Sequence, residues 1–108
     1  MNNDLEKPED RPEDKPELEV ELGILISRIK KLPVDESISQ LSLLIEKYPE
    51  KDEIYLARGL KHWAGGHRSE AIKDYLSALR INPESKAALA LKAANDILDY
   101  YNKDLLNP

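Results

Sequence analysis

The stretch Asp52-Glu-Ile-Tyr-Leu-Ala-Arg-Gly-Leu-Lys-His-Trp-Ala-Gly-Gly-His-Arg-Ser-Glu-Ala-Ile-Lys-Asp-Tyr-Leu-Ser-Ala-Leu-Arg-Ile-Asn-Pro83 decides the fold. Ile54, Leu56, Ala57, Leu60, Trp63 and Ala64 recur at helical steps of three and four, up to the break at Gly65-Gly66. Beyond that break two apolar stripes run side by side, Ala71, Tyr75, Ala78 and Ile72, Leu76, Leu79. A helix with two apolar stripes needs a neighbour on each side. The stretch therefore reads as a helical hairpin that cannot stand alone.

The chain outward from this hairpin carries the same pattern. Leu18, Leu22, Leu25, Ile29 and Leu32 predict a helix ended by Pro33, with Gly23 as a weak point in its interior. Ile38, Leu41, Leu44, Ile45 and Tyr48 predict a second helix, with Asp35 as its N-cap, stopping before Pro49. After Asn82-Pro83, Ser85 is the expected cap of a last helix carrying Leu89, Leu91, Ala93, Ala94, Ile97, Leu98, Tyr100 and Tyr101. Asn102 is the expected end of that helix, with Leu105 and Leu106 folding back on it. The expected helices are 18–31, 35–48, 52–64, 68–81 and 86–101, an all-α chain. Short connections make neighbouring helices antiparallel.

Tyr55, Gly59, Ala71, Tyr75, Ala78 and Pro83 keep the spacing of a tetratricopeptide repeat, and the hairpin resembles that family. Two positions depart from the pattern. Arg58 stands where Leu is usual, and His62 where an aromatic faces the partner helix. Pro49 and Pro83 are 34 residues apart, the period of the family. In that register Ser37 aligns with Ala71, Leu41 with Tyr75 and Leu44 with Ala78. The resemblance implies a degenerate repeat over 18–51, whose first helix is alternatively a non-repeat helix covering the end of the stack, a clear repeat over 52–85, and a capping helix and tail over 86–108. These would stack as a short right-handed solenoid of five helices.

By the same resemblance, the first helix of each hairpin lines an inner, concave surface. The implied partner-binding residues are Glu53, Leu56, Leu60 and Trp63 in the central repeat, Leu22, Ile26 and Ile29 in the first, and Ala90 and Ala94 in the cap. Glu19, Lys30, Ala64, Ala87, Ile97 and Leu98 complete the expected face. Tyr55, Gly59, His62, Ala71, Tyr75, Ala78 and Pro83 are the expected packing positions. Trp63 is either an anchor for a partner or a core residue. The face is apolar, so a clamp for a partner's terminal carboxylate is not expected there. The implied function is non-catalytic binding of a peptide or another protein. A homodimeric assembly protein or accessory subunit using the same face is the alternative.

Composition agrees with that class. Hydrophobic residues form 41 % of the 108, enough for a modest core, and Phe is absent. With no Cys, disulfides and thiolate metal sites are excluded. No run is apolar enough to span a bilayer, and no signal segment opens the chain, so a soluble cytoplasmic protein is expected. Residues 1–17 contain seven acids and three bases, net −4. They hold three near-copies of a four-residue unit with Pro at 8, 12 and 16 and are expected to be a disordered or extended solubilising tail, of which 1–16 is removable; a ligand segment for another protein or a lid over the groove is the alternative. Residues 18–108 contain fourteen acids and thirteen bases, net −1, with no basic stripe. Nucleic-acid binding, which rests on phosphate neutralisation, is not expected.

No catalytic constellation is legible, and no enzyme activity, cofactor or metal is expected. His62 and His67 are five apart across Gly-Gly, poor spacing for two ligands on one helix face. Asp35-Glu36 and Asp52-Glu53 fall at helix starts, where the helix dipole accounts for them. Gly65-Gly66-His67-Arg68 lacks the spaced glycines and the Lys-Ser/Thr of a phosphate loop.

Overall fold

A computed structural model describes residues 16–106, with side chains to Tyr101. Residues 1–15 of the expected tail lie outside the described residues. Five helices are present among the described residues: α1 (Pro16–Ile29), α2 (Val34–Lys47), α3 (Asp52–Ala64), α4 (Arg68–Ile81) and α5 (Ala87–Leu106). The described residues contain no strand.

The helix ends follow local chemistry. α1 begins at Pro16, inside the segment expected to be tail. Proline suits the first helical position, where its missing N–H has no partner to lose. Asp35 is not the cap of α2. Pro33 holds φ −55° and ψ 156°, which turns the chain in a single residue, so the helix starts at Val34 and Asp35 falls in its first turn. α2 and α4 stop two residues before Pro49 and Pro83. Ser85 Oγ accepts the Ala87 N–H at 3.1 Å and opens α5. α5 continues through Asn102 to Leu106, so the expected stop and fold-back do not occur.

The α3–α4 turn closes with two backbone bonds. His67 N–H donates to the His62 carbonyl at 2.8 Å, and Gly66 N–H to the Trp63 carbonyl at 3.0 Å. This is a Schellman arrangement, with Gly66 at φ +83° supplying the left-handed residue. Its geometry reverses the chain within three residues.

Each helix packs on the one before it, and two apolar clusters result. Ile26, Ile29, Leu41, Ile54 and Ala57 join α1, α2 and α3. Ala71, Tyr75, Ala78, Ala87 and Ala94 join α4 and α5, with Tyr55, Leu56 and Trp63 of α3 against them. Glu19 pairs with Lys51 at one end of α1 and α3. At the other end Lys61 Nζ donates to the Lys30 and Leu32 carbonyls, both at 3.1 Å. Alternate helices α1 and α3 thus run side by side in one direction. α2 and α4 are both 14 residues long and begin 34 residues apart. Ser37 and Leu41 are fully buried, as are Ala71 and Tyr75 at the same places in α4.

Candidate functional site

Three side chains tie the middle of the bundle together. Arg58 of α3 donates to both carboxylate oxygens of Asp74 on α4, Nε to Oδ2 and Nη2 to Oδ1, each at 2.8 Å. Its third nitrogen, Nη1, donates to Ser42 Oγ of α2 at 3.0 Å, and Ser42 in turn donates to the Ile38 carbonyl. Asp74 is 4 % exposed. A planar fork is the group suited to satisfying such a carboxylate with two parallel bonds. The bond from Asp74 raises the Arg58 pKa above its ordinary value. Sequence reading registers Arg58 only as a departure from the repeat pattern. Its partner lies 16 residues away, across the turn, and no short-range pattern links the two.

His62 lies beside this network, its Nε2 at 4.0 Å from Asp74 Oδ2. Burial holds the imidazole below the ordinary histidine value, against the opposing pull of Asp74. Its Nδ1 is 3.2 Å from His67 Nδ1, so one ring donates to the other. Five residues is poor spacing for two ligands on one helix face, but the two rings do not share a helix: the Schellman turn folds His67 back over the end of α3. Among the described residues no group of three or more His, Asp or Glu is placed to hold a metal ion.

Gly59 is buried against Tyr75, and a Cβ built there would lie 2.7 Å from Tyr75 Cε1. Burial raises the Tyr75 pKa. Ala71 and Ala78 are fully buried, Tyr55 and His62 half-buried, and Pro83 is exposed in the α4–α5 connection.

The expected partner-binding face is corrected in two places. Leu22, Ile26 and Ile29 are 3, 8 and 4 % exposed, so they belong to the core and not to an open wall. They stand 33 residues before Tyr55, Gly59 and His62. α1 is therefore rotated by one residue, about 100°, from the 34-residue register. As an end helix it has its main neighbour on one side and turns its apolar stripe there. Val20 and Ile24, 62 and 50 % exposed, face outward instead. Ala87 and Ala94 are buried too. α5 begins 35 residues after α3, so Ala94, and not Ala93, takes the place equivalent to Gly59.

What remains open is a groove between α3 and α5. Leu60, Trp63, Ala90, Ala93, Ala94 and Ile97 line a cavity of about 120 Å³ with Tyr75 at its floor. Leu60 and Ile97 are the exposed large residues on its two walls. Trp63 is half-buried against the second cluster, and the Arg68 guanidinium sits 4.6 Å from its ring centroid. Near the start of α3, Asp52, Glu53 and Leu56 share a second recess with Asn82, Glu84, Ser85 and Lys86. Burial raises the Glu53 pKa. Leu56, Leu60, Trp63, Ala90 and Glu53 thus border the two recesses, and Leu22, Ile26 and Ile29 do not. Among the described residues no helix is long and apolar enough to cross a membrane. Comparison with protein-family models, curated proteins and solved structures gives no match.

Proposed function

We propose that this chain is a non-catalytic protein-interaction module of the tetratricopeptide-repeat type, which holds a peptide or a segment of another protein along the α3–α5 groove. The observation that carries the reading is the groove itself. Its lining is apolar, it is open to solvent, and both walls are rigid helices seated on one buried Tyr75. Two further features support the repeat. α2 and α4 recur at 34 residues with matching buried positions, and Gly59 brings α3 and α4 into close contact. A short apolar side chain of the partner fits the cavity, and Leu60, Trp63 and Ile97 surround it.

A second copy of this chain is the other occupant class. It is favoured by the outer side of α5, where Leu89, Tyr100 and Tyr101 are 73, 59 and 56 % exposed. Peptide-display selection against the full chain, with a Leu60→Glu/Ile97→Glu variant as the comparison, tests the first reading. Selected peptides should lose binding to the variant while its helical circular dichroism and melting temperature stay close to the parent's. Equal binding to both forms rejects the groove. Sedimentation equilibrium of the parent and of a Leu89→Lys/Tyr101→Lys variant tests the second reading, which requires a dimer mass only in the parent.

A further inference from the structure

His62 and His67 face each other through the same ring atom. The Nδ1–Nδ1 separation is 3.2 Å, and the rings are tilted by 59° with centroids 5.4 Å apart. A divalent metal binds imidazole nitrogen at about 2.0–2.1 Å. Two nitrogens at the observed separation then subtend about 100° at such an ion, close to tetrahedral. The separation is set by the fold, on one side by the last turn of α3 and on the other by the residue that precedes α4, and a small rotation of the exposed His67 ring would bring both lone pairs onto one ion.

The other nitrogen of His62 lies on the side of a carboxylate. Its Nε2 is 4.0 Å from Asp74 Oδ2, beyond direct hydrogen-bond distance but within ion-pair range. The negative charge there favours the tautomer with its proton on Nε2, which leaves Nδ1 with the lone pair that a metal needs. Asp74 is itself held by the two bonds from Arg58, so the nearby guanidinium charge is largely answered by a carboxylate. His67 is exposed, so solvent reaches the pair. We propose that His62 and His67 form a two-histidine chelate for a borderline divalent ion of the zinc, nickel or copper class, with water in the remaining positions. Imidazole nitrogen selects that class over calcium or magnesium, which take oxygen. The ion would bridge α3 and the start of α4 and replace the proton that the two rings now share.

The test is a calorimetric titration of tag-free full-length protein with ZnCl2 and, separately, NiCl2 at pH 7.5 in a buffer that does not chelate. One equivalent should bind saturably. Loss of either ring turns a chelate into a single ligand, so His67→Gln and His62→Gln should each weaken binding by roughly a hundredfold. The parent should melt higher with added zinc, and His67→Gln should not. Should His62→Gln fail to fold, imidazole proton resonances of the parent decide: sub-stoichiometric Ni(II) must broaden both rings together. Absence of saturable binding overturns the proposal. So does a His67→Gln variant within about threefold of the parent, or broadening of one ring alone.

Discussion

Adding one methyl group at Gly59 and at Gly23 should have opposite effects on stability. Both glycines lie inside helices, where replacement by Ala gains about 0.8–1 kcal/mol of intrinsic propensity. At Gly23 nothing among the described residues lies within 4 Å of the new Cβ, so that gain stands alone. Gly23→Ala should stabilise by about 0.5–1 kcal/mol. At Gly59 the Cβ would meet Tyr75 Cε1 at 2.7 Å, Tyr75 Cδ1 at 2.8 Å and Asp74 Cβ at 3.1 Å. Tyr75 is 2 % exposed and shares its cluster with Ala71, Ala78 and Ala94, with the small α3–α5 cavity on one side. Either its ring shifts off its packed position or α3 and α4 move apart, at an overpacking cost of roughly 1–3 kcal/mol. Set against the propensity gain, Gly59→Ala should destabilise by up to about 2 kcal/mol, and Gly59→Leu by more. For a domain of this size, 1 kcal/mol moves the melting temperature by about 4–8 °C. Urea titration followed by circular dichroism measures both variants in one experiment. Stabilisation of both by similar amounts would refute the close approach of Gly59 to Tyr75.

Four further outcomes follow from the same packing. Arg58→Leu, which restores the residue usual in the repeat pattern, leaves Asp74 buried without its partner; chemical denaturation should show a loss near 3 kcal/mol, the low end for a broken buried pair because Arg58 keeps some solvent. The double variant Arg58→Leu/Asp74→Ala should recover a large part of it. Ser37 Oγ is fully buried with no hydrogen-bond partner among the described residues, and Ala occupies the matching place in α4, so Ser37→Ala should raise denaturant stability by about 1 kcal/mol. His62 has a folded pKa below its unfolded value, so the unfolded chain takes up the proton first as pH falls below about 6.5. Stability should therefore drop between neutral pH and pH 5 more steeply in the parent than in His62→Gln, and parallel pH profiles would count against a buried neutral His62. Trp63→Ala should weaken peptide binding and also lower the melting temperature, since the ring packs on the second cluster; binding lost at unchanged stability would mean that the ring is only a surface anchor.

Much of the fold is legible in the sequence because the two central helices have neighbours on both sides. α3 and α4 satisfy several constraints at once, and only one register of Ile54, Ala57, Gly59, Ala71, Tyr75 and Ala78 meets all of them. Their observed bounds are 52–64 and 68–81, as expected. Prolines 33, 49 and 83 punctuate the chain unambiguously. The outer helices are less constrained. Leu18, Leu22, Leu25 and Ile29 fit a helix in any of several rotations, and the 34-residue register selects the wrong one for α1. Arg58 and His67 are illegible for a different reason. Each makes its contact across the α3–α4 turn, and a contact set by the turn's dihedral angles leaves no periodic trace.

The rotation of α1 also limits where the proposed partner would sit. Had Leu22, Ile26 and Ile29 faced outward, a continuous apolar wall would have run from α1 through α3. Instead they close the first cluster with Leu41 and Ile54, and the outward side of α1 beside α3 carries Glu19, paired with Lys51. At the other flank α5 turns Ala90, Ala93 and Ala94 toward α3. Alanines are too short to fill the space between the two helices, and that shortfall is the cavity under Leu60 and Ile97. Larger residues at these positions would close it. Ala93→Leu is therefore the sharpest discriminator between a binding groove and an incidental gap. It should fill the cavity without loss of stability, since Ala93 is already exposed, and it should exclude the partner side chain. Unimpaired binding of display-selected peptides by a stable Ala93→Leu protein would move the recognition surface elsewhere, most directly to the exposed Leu89 and Tyr101 side of α5.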